Sequence, residues 1–196
     1  MGMSSGLTYT PGSYADTDEL VALCEVVASG GGYYSPHHRS YGAGALEAYA
    51  EMIEVSRRSG CPLHLAHATM NFPVNAGRAG ELLSLVDDAI ADGVDISLDT
   101  YPYLPGATYL SALLPSWAAE GGLEATLDRL SDPETRERIR RDIEEVGSDG
   151  CHGVPVDWET IEINGVRNEE NAHLLGRSVA ESARIAGVPP AELYFR

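Results

Sequence analysis

A chain of 196 residues with 43% apolar residues can bury one good core, so a single domain or part of a larger one is expected and disorder is excluded. Thirty acidic residues face thirteen arginines and no lysine, a net charge of -17 that argues against nucleic acid and against an anionic membrane as partners. Cys24, Cys61 and Cys151 form no CxxC pair, the start MGMSSGLTYT lacks a basic segment before an apolar one, and no apolar run reaches the roughly twenty residues that span a bilayer; a cytoplasmic protein without a disulfide framework is expected.

Asp16 with Glu19 three positions on predicts a helix start, with Leu20, Leu23, Cys24 and Val27 as its apolar face and glycines 30 to 32 as its stop. A strand follows at Tyr33 to Pro36. Leu46, Tyr49, Ala50 and Ile53 hold helical spacing up to Gly60. In the next run, CPLHLAH, strict alternation places Leu63, Leu65 and His67 on one face and His64 on the other. Leu82, Leu83, Val86, Ala89 and Ile90 predict a third helix, and Val94 to Leu98 a further strand that leads to Asp99. Successive strand-like runs thus end in a His, Arg or Asp about thirty residues apart, the length of one βα unit, and the repeated order implies a parallel sheet.

Beyond YPYLPG the pattern becomes short helices, one opened by Asp132-Pro133 with its cap and first-turn chemistry. ETIEIN, Glu159 to Asn164, reads as a fourth strand, and Ser178 with Glu181 caps a last helix that ends at Gly187. The expected units are 1–104, central βα units of a barrel; 105–150, a helical insertion; and 151–196, a truncated return to the barrel. Four strands are about half of a (β/α)8 barrel, so the alternatives are an open doubly wound sheet or the middle of a longer barrel. Half a barrel would leave two unpaired edges and expose the inward faces of Leu63, Leu65 and Ile96.

The blocks SSGLTYTPGSYADTDELVAL, GGYYSPHHR, SGCPLHLAHA and GVDISLDTYPYLPGATYLSALLPSWAAEGG resemble, in order and spacing, the central portion of the N-acyl-D-amino-acid deacylases of the amidohydrolase superfamily. The resemblance implies an α/β fold, part of a metal-dependent (β/α)8 barrel, and one or two zinc ions in the complete barrel. It implies hydrolysis of the amide of a small-molecule N-acyl-D-amino acid to a carboxylate and a free D-amino acid. His67 matches a zinc-ligating histidine at a strand end. His37 and Arg39 match the family's HxR, where Arg39 would clamp the substrate carboxylate because guanidinium pairs carboxylate bidentately; His38 would face away. Asp99, Tyr101 and Tyr103 match DxYPY, whose residues line the pocket; Asp99 could ligate metal, bond a ligating histidine or cap a turn, with the second of these and a pocket role ranked first.

The sequence also departs from the family. Ala68 and Thr69 follow His67 where a second His and a Lys are usual, and the HxH pair, the zinc-binding cysteine and the late Asp have no counterpart. Asp149 with His152, in GSDG and beyond, is read first as a turn and only second as a metal site. No residue is assigned a catalytic proton transfer. Another cyclic-amide or dihydropyrimidine amidohydrolase, and a non-catalytic degenerate fragment, are the competing readings, and the open sheet edges predict pairing with missing strands or self-association.

Overall fold

The computed structural model describes residues 1–149 and 153–196. Strands β1 (Met3–Gly6), β2 (Tyr34–His37), β3 (Leu63–Leu65) and β4 (Ile96–Leu98) form one parallel sheet in the order β1-β2-β3-β4. Helices α1 (Thr17–Ser29), α2 (Ala45–Ser59) and α3 (Ala79–Ala91) make the crossovers that parallel pairing requires. A doubly wound sheet reverses its strand order at one point. Here the order never reverses and α1 packs on α2 and α2 on α3, so the fold is a run of βα units of the barrel kind.

Local chemistry sets the helix ends as the sequence suggests. Asp16 caps α1 by accepting the Glu19 amide at 2.8 Å, and Gly60 closes α2 at φ 68°, a conformation that costs a residue with a Cβ. The helices bury Leu20, Cys24, Tyr49 and Met52 against Tyr34, Leu63 and Leu65 of the sheet, each at most 2% exposed. This corrects the expectation that Leu63 and Leu65 line the inward face of the strands and are left exposed there. They supply the helix-facing layer, and the opposite face carries Ser35, His64 and Ser97.

Met3–Gly6 is a strand although MSSG has no β-branched or large apolar alternation; its backbone pairs with β2 from Met3↔Tyr34 to Gly6↔His37. ETIEIN is not part of the sheet: Glu162 forms an isolated antiparallel bridge with Ser178, and Ile161 and Ile163 pack on a second core instead. That second core joins Leu113 and Ala118 on one side of residue 150 to Trp158, Val179 and Ala180 on the other. Its helices are α4 (Ser116–Ala119), α5 (Gly122–Ser131), α6 (Pro133–Arg141), α7 (Val179–Ala186) and α8 (Pro190–Phe195). Residues 105–149 and 153–196 therefore share one hydrophobic cluster.

His38 is 1% exposed and lies between the Tyr41 and Tyr49 rings, at 4.0 and 4.1 Å. Burial, followed by the neighbouring His37 and His67, pushes its pKa down to about 3. The unfolded chain then binds more protons than the folded one between about pH 3 and the ordinary histidine value, so stability is full above that value and falls as pH falls. Acidification from pH 7 to pH 4.5 is expected to cost about 2 kcal/mol through His38. Urea unfolding of wild type and His38→Phe at both pH values checks this; an equal pH dependence in the two contradicts it.

Candidate metal centre

The site is built where β2 and β3 end. His37 closes β2, and its ring packs against Tyr9 at 5.0 Å and Tyr41 at 4.8 Å. Strand β3 stops at Leu65, and His67 adopts φ 41°, a left-handed conformation that residues other than glycine, asparagine or aspartate seldom adopt. Because the chain turns before His67, alternation no longer governs it: Leu63 and Leu65 go to the helices, whereas the His67 ring swings to His37. His37 Nδ1 and His67 Nε2 stand 3.1 Å apart, with the rings edge to face. Tyr41 Oη lies 3.3 Å from His67 Nδ1.

Asp99 holds this turn. Its Oδ1 accepts the His67 backbone N–H at 2.5 Å and its Oδ2 lies 3.1 Å from His64 Nε2. The Ala68 N–H donates to the Asp99 carbonyl at 2.8 Å, and the Asp99 N–H to the Leu65 carbonyl at 3.1 Å. The His67 amide, then the His64 ring, hold the Asp99 carboxyl below its ordinary range. His64 in turn reaches Ser97 Oγ from Nδ1 at 2.8 Å. Thus Asp99 bonds the backbone of His67, not its ring.

Burial, then His67, lowers the His37 pKa to about 4, so at neutral pH the ring is neutral and one of its two nitrogens has a free lone pair, the form that binds metal. His37 Nε2 is buried without a hydrogen-bond partner. Two imidazole nitrogens on one tetrahedral zinc ion, each at its usual bond length, lie about 3.3 Å apart, close to the separation of Nδ1 and Nε2 here. The pair fits two corners of such a site. Among the described residues no group of three or more His, Cys, Asp or Glu side chains could hold a metal ion, so the remaining ligands would have to come from elsewhere.

The other expected residues are placed differently. Arg39 spends its fork on Glu51, Nε to Oε2 at 2.7 Å and Nη2 to Oε1 at 3.1 Å, and on the carbonyls of Ser13 and Ala15. Tyr103 is 70% exposed, and among the described residues no hydrogen bond joins it or Tyr101 to the histidines. Asp149 accepts the backbone N–H of Ser116 at 2.8 Å and also its hydroxyl, which is helix-capping chemistry; His152 lies outside the described residues. Tyr9 and Tyr41, which frame His37, carry no signal in the sequence, because each lies in an irregular segment outside any strand or helix, where no periodicity marks it. Beside Tyr9 a cavity of about 630 Å³ opens between the segment after β1 and the helices of the second core, lined by Thr8, Leu114, Leu123 and Thr126 and by two charged groups, Arg39 and Asp149. Thr8 Oγ1 is buried there without a partner.

No protein-family model matches the chain. Over 110 residues, 56% of the chain, it is 39% identical to an N-acyl-D-glutamate deacylase and 34% identical to a D-aminoacylase, both of Alcaligenes xylosoxydans xylosoxydans. It spans 22% of the length of these relatives. Among solved structures, it superposes over 97% of its length on 31% of the N-acyl-D-glutamate deacylase from Bordetella bronchiseptica complexed with zinc and a phosphonate inhibitor that mimics the tetrahedral intermediate, with a TM-score of 0.65 and 25% identity. A D-aminoacylase described as defining a novel subset of amidohydrolases follows, with a TM-score of 0.64 and 23% identity. In sequence and in fold the chain is similar to one part of N-acyl-D-glutamate deacylase and D-aminoacylase.

The segment beyond His67 is pinned by Tyr49, whose hydroxyl donates to the Thr69 carbonyl at 3.0 Å and accepts the Thr69 N–H at 2.8 Å. Tyr49→Phe leaves both backbone groups without that partner and is expected to cost roughly 1–3 kcal/mol. Chemical denaturation measures it, and an unchanged midpoint contradicts the assignment.

Proposed function

We propose that this chain is a segment of a zinc-dependent amidohydrolase that cleaves the amide of N-acyl-D-amino acids, and that His37 and His67 are two of its metal ligands. The observation that carries the reading is the approach of His37 Nδ1 and His67 Nε2 to 3.1 Å from the ends of neighbouring parallel strands, where barrel enzymes place their chemistry. The likeness to the deacylases supports the substrate class. Zinc held by the pair would polarise an amide carbonyl and make water acidic enough to act near neutral pH. The chain's own part is positioning: Asp99 fixes the His67 turn, Tyr9 and Tyr41 fix the His37 ring, and the cavity beside Tyr9 offers mostly apolar walls with hydroxyls for the acyl side of a substrate.

The outer edges of β1 and β4 have no strand partner among the described residues, which supports pairing with further strands that would also bring the missing ligands. No helix among them is long and apolar enough to cross a membrane. Cys24 and Cys61, neighbours in the core, are both free, which supports a reducing compartment such as the cytoplasm.

The complete gene product is expected to hydrolyse N-acyl-D-amino acids and to carry bound zinc. His37→Ala and His67→Ala should each lose metal and activity together, activity by on the order of 100-fold or more. Metal analysis with a hydrolysis assay decides: wild-type zinc content in either variant, or no turnover of N-acyl-D-amino acids by the zinc-loaded wild type, overturns the reading.

A further inference from the structure

We infer that Arg39 and Glu51 together are a positioning clamp for the segment that carries Tyr9, and that Arg39 is not a receptor for a substrate carboxylate. The guanidinium has five N–H donors. One goes from Nε to Glu51 Oε2, one from Nη1 to the Ser13 carbonyl at 3.0 Å, and two from Nη2 to the Ala15 carbonyl and Glu51 Oε1. Four of the five donors are thus engaged, and although Arg39 reaches the wall of the cavity beside Tyr9, a carboxylate that paired with the fork bidentately would have to displace one of these partners and would meet Glu51, a like charge that also accepts Thr17 Oγ1 at 2.9 Å. Geometry and charge both exclude that exchange at low cost.

The segment from Gly6 to Ala15 is bonded mostly to itself: Tyr9 to Gly6, Ser13 to Tyr9, Tyr14 to Pro11 and Ala15 to Gly12. One backbone bond ties its start to β2, Leu7 N–H to the His37 carbonyl at 2.8 Å. Its far end is tied by Arg39, which stands two residues after His37, and through Arg39 to Glu51 on α2. Between those ties lies Tyr9, its ring 5.0 Å from His37 and its hydroxyl 2.7 Å from Thr108 Oγ1. The clamp therefore sets where the Tyr9 ring sits on His37.

Its test is the proton NMR spectrum of the His37 ring in the 196-residue chain, because the Tyr9 ring current displaces those signals and loss of stability alone does not. Tyr9→Leu defines the signal positions without the stacked ring. Glu51→Gln removes the charge pair at constant volume, and Arg39→Lys keeps the charge without the fork. Both are expected to move the His37 signals toward the Tyr9→Leu positions, and the double variant no further than either alone. Wild-type His37 signals in either folded single variant overturn the clamp, as does an additive shift in the double variant.

Discussion

The site depends on one short bond, from the His67 backbone N–H to the Asp99 carboxylate. Strand β3 is only three residues long, and the chain must leave it at once in a left-handed turn if the His67 imidazole is to meet His37. Such a conformation costs of order 1–3 kcal/mol for an ordinary residue and persists only when its surroundings over-determine it. Asp99 supplies that determination three ways, through its carboxylate, its carbonyl and its own N–H. The β3–β4 ladder and the histidine pair are thus parts of one construction.

A second consequence is the division of labour between the two faces of the sheet. Tyr34, Leu63 and Leu65 bury themselves under α1, α2 and α3, so the crossover layer carries the hydrophobic stabilisation. The opposite face is left to Ser35, His64, Ser97 and Asp99, with the Asp99 side chain 60% exposed. A polar face of this kind meets water without the penalty of an apolar one. A run of exposed apolar side chains follows β4, at Tyr103, Leu104, Tyr109 and Leu110.

Much of this was readable in the sequence, because caps and helical periodicity are local. Asp16, Asp132 and Ser178 act as the caps expected of them, and the likeness to the deacylases lay in blocks spread over most of the chain. What escaped the sequence was non-local or irregular. β1 gains its pairing from β2 thirty-one positions away, not from its own side chains. Alternation read through Leu65 to His67 assumes a strand that has already ended. Arg39 looks like a free cation until the fold delivers Glu51 from twelve residues along, and neither a turn of helix nor a strand repeat predicts that meeting. ETIEIN alternates well, yet its isoleucines are taken by the second core.

The measurement that bears most directly on this construction is hydrogen exchange at the single His67 amide, in wild type and in Asp99→Ala. Bonded to Asp99 inside the β3–β4 junction, the wild-type amide should exchange slowly, as a member of the ladder does, and the substitution should bring it to the rate of an exposed turn while amides in α2 stay protected. A His67 amide that already exchanges at the exposed rate in wild type, or one that stays protected without the Asp99 carboxylate, would contradict the account.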